Sequence, residues 1–232
     1  MNASPVPVPI LPRKPLALRW ILLATLLLLC LLGVKFVREG RQAARNANCR
    51  GALAQIRLAL QNHQLETGDL PPLVLRDGRG NPLMSWRVLL LPYFDFEERA
   101  FYSELDLSEP WNSPKNVAVA SPASSRIARW FRSPNDFAAG SNDTSFVAIE
   151  IPENADHGRR LVIVEIHNTG IHWMEPRDLN RPEIKSRIEE MLYRGQAVHV
   201  LTADGEIGTI ADSSLTFFGS LDELFDSWLA PD

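Results

Sequence analysis

Cysteine is almost absent from this chain: only Cys30 and Cys49 occur in 232 residues. On one helix they would stand roughly 28 Å apart, at about 1.5 Å per residue. A disulfide needs Cα atoms within about 7 Å, so the two cannot pair inside such a helix. The fold must hold without an intrachain bridge, and cysteine usage carries no information on redox compartment. Cys49 reads as a small buried side chain, with an intermolecular bridge as the alternative. Catalytic signatures are absent too. The sequence has no HExxH, CxxC, GxSxG, Walker A or Rossmann glycine pattern, so no standard metal, nucleophile or nucleotide chemistry is announced. It also lacks a stripe of Lys and Arg along its body, which excludes the usual phosphate-neutralising surface for nucleic acid.

The charges that are present are unevenly placed. Residues 1–50 hold eight cations (Arg13, Lys14, Arg19, Lys35, Arg38, Arg41, Arg45 and Arg50) against Glu39 alone, a net of +7. The total of −4 therefore leaves −11 for the remainder. A basic end and an acidic body suit a protein held at an anionic bilayer. Pro5, Pro7, Pro9, Pro12 and Pro15 make residues 1–15 an extended tail, since proline cannot continue a helix. Trp20 to Val34 is an unbroken, Leu-rich apolar run. Extended to residues 16–37, it would span about 33 Å as a helix, enough for a bilayer core of about 30 Å. Arg19 and Lys35 can snorkel to the interfaces. A cleaved signal peptide is the rival reading, with Arg41-Gln42-Ala43-Ala44 as its weak cleavage site. Flanking cations lie on both sides of the span; their count slightly favours a cytoplasmic C-terminus, yet long domains can translocate despite flanking charge.

Beyond the span, Cys49, Leu53, Ile56, Leu60 and His63 recur at helical spacing and predict one apolar stripe. Gly68 is the expected stop. One helix over residues 16–67 would be roughly 78 Å long. Strands and turns follow. Leu73 to Leu75 and Leu83 to Leu91 read as extended pieces around the Gly-rich turn at Asp77 to Pro82, with a short helix as the alternative for the second. Phe146 to Ile151 and Leu161 to Ile166 are β-branched and strand-like. Asp204-Gly205 between two such runs predicts a tight hairpin with positive φ at both turn residues. Asn180, Pro182 and Gly195 bracket a helix over residues 182–194 with a stripe of Ile184, Ile188 and Met191/Leu192. Ser220 to Glu223 opens a C-terminal helix over residues 220–229. The Ser/Asn/Asp-rich stretch from Ser121 to Ser145 reads as a mobile loop.

His157, Glu165, His167, His172, Glu175 and Asp178 cluster in sequence. However, the His167-x4-His172 spacing is poor for two ligands on one strand face. Trp173 and Glu175-Pro176-Arg177-Asp178 read better as a docked loop with a buried aromatic and paired charges. No cofactor is expected, apart from calcium on loop carboxylates such as Asp136 and Asp143. His63 reads as a core-edge histidine.

The stretch SWRVLLLPYFDFEERAFYSELDLSEPWNSPKN, Ser85 to Asn116, carries a family resemblance. So do Asn48 to His63, Leu70-Pro71-Pro72, Gly80-Asn81-Pro82-Leu83, Trp173 to Leu179 and Val198 to Gly205. Together they resemble a bacterial pilin-like family of unknown function with a C-terminal H-x9-DG motif. Trp86, Pro92, Pro110, Trp111, Trp173, Glu175, Pro176, Asp204 and Gly205 are the matching motif positions. The motif His falls on Arg194, and the family's Cys in a Phe-x-Cys-Pro-x-Asp element falls on Arg132, within Phe131 to Asp136. The Glu of a pilin export signal is also missing.

The resemblance implies an α+β, pilin-like fold: a long N-terminal helix packed on an antiparallel β-sheet head, with short extra helices. With the residue reading above, the chain divides into 1–15 as tail, 16–37 as transmembrane helix and 38–232 as head. Within the head lie the helix continuation 38–67 and a β-rich core over 71–210. The resemblance also implies an exported, extracytoplasmic head and a non-enzymatic, pseudopilin-like role beside other secretion-assembly proteins. Two further readings are a polysaccharide-binding module using Tyr93, Trp111 and Trp173, with Trp86 as a further aromatic, and an anchored envelope hydrolase. Without the export Glu, the expectation is an intact, uncleaved anchor outside any filament.

Overall fold

The computed structural model describes residues 16–121, 124–137, 140, 142–151, 160–211 and 223. The chain divides into two compact units, Met1–Ala44 and Arg45–Asp232. A single helix, α1 (Leu16–Thr67), begins in the first and ends in the second.

In the first unit every described apolar side chain from Trp20 to Val37 is exposed. Such a surface is stable only in an apolar medium. The helix is long and apolar enough to cross a membrane, and its most apolar stretch is not buried. Thr25 Oγ1 donates to the carbonyl of Ile21 at 2.9 Å, so its hydroxyl is satisfied within the helix.

In the second unit the predicted stripe is the core. Cys49, Leu53, Ile56, Ala59 and Leu60 are buried, while Arg50, Gln55 and Gln61 face solvent. Gly68, at φ 90°, ends the helix and donates to the Gln64 carbonyl at 2.8 Å. The main sheet is antiparallel in the order β3-β4-β5-β6: β3 (Phe146–Ile151), β4 (Arg160–Glu165), β5 (Val198–Leu201) and β6 (Ile207–Ile210). Side chains alternate across its faces. Phe146, Ala148, Leu161, Ile163 and Leu201 join the core of α1, whereas Val147, Ile149, Val162, Val164, Val198 and Val200 join that of α6 (Arg181–Tyr193). The sheet is thus covered on both sides, which is why its strands read as nearly continuous apolar runs.

Several segments differ from the sequence reading. Leu83 to Leu91 divides between its two readings: β1 (Val74–Arg76) pairs with β2 (Pro82–Ser85), and the chain then turns into α2 (Trp86–Leu89), the short-helix alternative, and a 3-10 turn, Leu91–Tyr93. Ser85 accepts from the Arg87 amide at 3.3 Å and caps α2. Two unanticipated helices follow, α3 (Phe96–Glu104) and α4 (Pro114–Ala120), capped by Asp95 and Ser113. The stretch from Ser121 to Ser145 is not a plain loop. It contains α5 (Ser124–Ala128) and the buried Ile127, Ala128 and Phe131, because apolar residues sit among its Ser and Pro.

The Asp204-Gly205 turn is wider than a two-residue hairpin. Leu201 pairs with Ile207, and only Gly205, at φ 84°, has positive φ. Gly205 N donates to Thr202 O at 3.0 Å and Thr202 N to Glu206 O at 2.9 Å, a turn closed by a glycine bulge. The proposed C-terminal helix over residues 220–229 lies outside the described residues, except for Glu223.

The α+β architecture expected from the sequence, a long helix packed on an antiparallel sheet head with short helices, is the one observed.

Candidate functional site

Two buried polar groups flank the α1 face of the sheet. The first centres on Glu165, the last residue of β4, which is fully buried. Strand register puts Ile163 opposite Leu201 and Val164 opposite Val200. The next step sets Glu165 opposite His199, both on the α1 side. His199 N donates to Glu165 Oε2 at 3.1 Å, and its Nδ1 lies 2.5 Å from the same oxygen. Ser133 Oγ makes a very short hydrogen bond to Glu165 Oε1, and His167 Nε2 lies 3.0 Å from that atom. An ionised carboxylate has no proton, so both imidazole nitrogens facing it are donors.

Burial pushes the Glu165 carboxyl up, but the hydrogen bonds from His167, His199 and Ser133 together hold it below the ordinary carboxylate range. Cys49 comes from α1 to the same spot, within hydrogen-bonding reach of Glu165 and Ser133. Burial and then the Glu165 charge push its thiol far above the usual value. Such a thiol is a poor nucleophile, because the thiolate is the reactive form. Counted from Phe131, Pro134 and Asp136, the Cys position of the resembled Phe-x-Cys-Pro-x-Asp element is Ser133 and not Arg132, a correction of the sequence reading.

The second group is a buried ion pair. Arg87 is fully buried in α2 and its side chain stacks over Trp86, 4.8 Å from the ring centroid. It donates to Phe146 O through Nη2 at 2.7 Å, to Ser85 Oγ at 2.8 Å and to Asp178 Oδ1 in a very short contact. Asp178 also accepts from Trp86 Nε1 at 2.9 Å and Ala148 N at 3.2 Å. Burial works against both charges, pushing Asp178 up and Arg87 down. The pair stays ionic because guanidinium does not lose its proton in proteins and each partner is multiply hydrogen-bonded.

The expected motif residues fall into distinct places. Trp86 and Trp173 are fully buried, so neither offers a ring to a ligand, and the ligand-facing reading of Trp173 gives way to a packing role. Trp111 is half-buried. Its ring stacks on His172 at 4.9 Å, beside a cavity of about 150 Å³ lined also by Val117, Asn142 and Met174. Burial pushes the His172 imidazole down. Tyr93 meets the His63 ring edge-on at 5.6 Å, and its phenol is pushed up to about 12 by burial and by Glu66. Pro92 sits in the 3-10 turn, where its carbonyl accepts from Arg99 Nε at 3.1 Å. Pro110 O accepts from Asn116 Nδ2 at 3.0 Å; that side chain also ties down Asp106 and Glu109. Glu175 pairs with Arg177 at 2.7 Å, and Pro176 is half-buried between them. Asp204 pairs with Arg160 at 2.7 Å, and Gly205 O accepts from Arg57 Nη1 of α1 at 3.0 Å.

Arg194 caps α6, pairs with Glu190 at 2.8 Å and lines a cavity of about 280 Å³ with His167, Asn168, Arg187 and Gln196.

The sequence cluster of possible metal ligands is dispersed. Glu165 and His167 meet, whereas His172, Glu175 and Asp178 serve other contacts; His157 lies outside the described residues. Asp136 accepts from Ser145 Oγ and Asn168 N, both at 2.8 Å, and Asp143 from Gly140 N at 2.9 Å. The convergence of Cys49, Ser133, Glu165 and His199 was not foreseen, because these residues come from separate elements. The available signal was a Glu and a His at matching places in two otherwise apolar strands.

No curated protein and no solved structure matches this chain. The family model described as a protein of unknown function, DUF1559, matches residues 38–179, from within α1 through the Arg87–Asp178 pair to Leu179. That is more than half of the sequence, and the chain belongs to this family.

Proposed function

We propose a non-enzymatic, pilin-like envelope protein, anchored once in a membrane, with its head on the extracytoplasmic side. Its role is to contribute that head to a secretion-associated or cell-surface assembly. The observation that carries this reading is α1: one helix supplies an exposed apolar segment and, further on, the buried stripe of an antiparallel head. The buried state of Cys49, Glu165 and His199 supports a structural role over hydrolysis, since a hydrolytic nucleophile must be reachable and activated. The Trp111–His172 stack beside its cavity supports a second reading, recognition of a polysaccharide ring by stacking.

The test is carbonate extraction of native membranes, protease shaving of intact spheroplasts, and intact mass of the recovered protein. The expected outcome is full membrane retention, digestion of the head from outside and a full-length mass apart from the initiator Met. Release by carbonate, or a start beyond Val37, would remove the anchor. Protection of the head in spheroplasts would reverse the sidedness.

A further inference from the structure

We propose that Cys49, Glu165 and His199 form a zinc site in the head, joining α1 to strands β4 and β5. One donor atom from each lies within 4.8 Å of the others, and all three side chains are buried. Among the described residues this is the one such convergence of three ligating side chains. Bonds of about 2.0 to 2.3 Å place the donors of one tetrahedral zinc roughly 3 to 4 Å apart. Glu165 Oε2 and His199 Nδ1, 2.5 Å apart, would separate to that spacing on binding, and the three donor atoms already lie within 4.8 Å of one another. Thiolate, imidazole and carboxylate together form a donor set that zinc takes readily, whereas calcium prefers oxygen alone.

The surroundings fit a metal as well as the donors do. Ser133 Oγ and His167 Nε2 both hold Glu165 Oε1, and the His199 amide donates at 3.1 Å to Oε2, the oxygen that faces the His199 ring. Such outer hydrogen bonds orient first ligands. Charge favours the ion too. Zn²⁺ with one thiolate, one carboxylate and a neutral imidazole sums to zero. A neutral centre is the cheaper one to bury. On binding, the Cys49 S–H bond breaks, its proton passes to solvent and the S–Zn bond forms. His199 ligates through the lone pair of its neutral imidazole, the Nδ1 proton that faces Glu165 shifting to Nε2, and no atom changes oxidation state. His167, half-buried beside the 280 Å³ cavity, stands next to the Glu165 oxygen that faces away from His199.

This inference does not rest on the membrane reading, and its test is separate. The full-length protein in detergent is stripped with chelator and titrated with Co²⁺, then with Zn²⁺ in competition. The expected result is an intense thiolate-to-cobalt charge-transfer band saturating at about one ion per chain, with tetrahedral d–d bands that zinc abolishes. Cys49→Ser should lose the charge-transfer band. His199→Gln should weaken zinc by more than about tenfold, the least that loss of even an outer partner costs. The absence of a charge-transfer band in the wild-type protein overturns the site, whatever the variants do. A band that persists in Cys49→Ser, with helix content unchanged by circular dichroism, overturns it equally.

Discussion

At the scale of single residues, the Arg87–Asp178 pair explains most of the Ser85-Trp86-Arg87 and Arg177-Asp178 pattern. Trp86 donates to Asp178, Arg87 stacks on Trp86, and Arg87 reaches across to Phe146 O. The motif is a brace between α2, the start of β3 and the Trp173 loop. Removing one partner leaves the other charged in the interior. Asp178→Ala should therefore cost about 3–5 kcal/mol, read as a lower urea midpoint of the detergent-solubilised protein. The double change Arg87→Met with Asp178→Leu should recover much of that loss, because apolar replacement of a whole buried pair is often neutral. A single-site loss below about 1 kcal/mol would place the pair in the class of exposed bridges.

At the scale of elements, the β5–β6 hairpin shows what the Asp-Gly signature does. Gly205 alone needs the left-handed region, and its carbonyl docks on Arg57 of α1. Asp204 contributes an exposed ion pair with Arg160. A Cβ at Gly205 would meet Arg57 Cδ at 3.6 Å, an ordinary contact, so the strain of substitution is conformational. Gly205→Ala should cost about 1–2 kcal/mol, whereas Asp204→Ala should cost less than about 1 kcal/mol, as exposed bridges do. Thermal melts of the two variants would check the order; a reversed order would return the weight to the carboxylate.

At the scale of the whole molecule, the sheet is gripped between α1 and α6, and Glu165 is the polar centre of the α1 side. Its folded-state carboxyl lies below the ordinary value of 4.5. The unfolded chain therefore binds more protons in acid, and the stability this group contributes is present above about pH 4.5 and lost as pH falls below it. With chelator present to exclude metal effects, acid unfolding should begin in that range. The Glu165→Gln variant should show a lower neutral stability and a shallower acid limb. An acid limb of unchanged slope would assign acid sensitivity to other carboxylates.

The sequence by itself determined the features that repeat locally. The apolar run at residues 20–34, the stripe from Cys49 to Leu60, the strands Phe146–Ile151 and Arg160–Glu165 and the capped helix Arg181–Tyr193 were all legible. In each, spacing and caps report the local environment directly. α5 was not legible, because its Ser-rich start looks like a loop and Ile127 is buried only by the rest of the fold. Nor were the polar centres. Arg87 and Asp178 are 91 positions apart, and Glu165 and His199 are 34 apart. Cys49 reaches Glu165 only because α1 lies on that face of the sheet. Long-range pairing of buried charge depends on strand order and on which face each residue takes. Those are decided when the sheet closes on its helices, and only the tertiary structure holds that information.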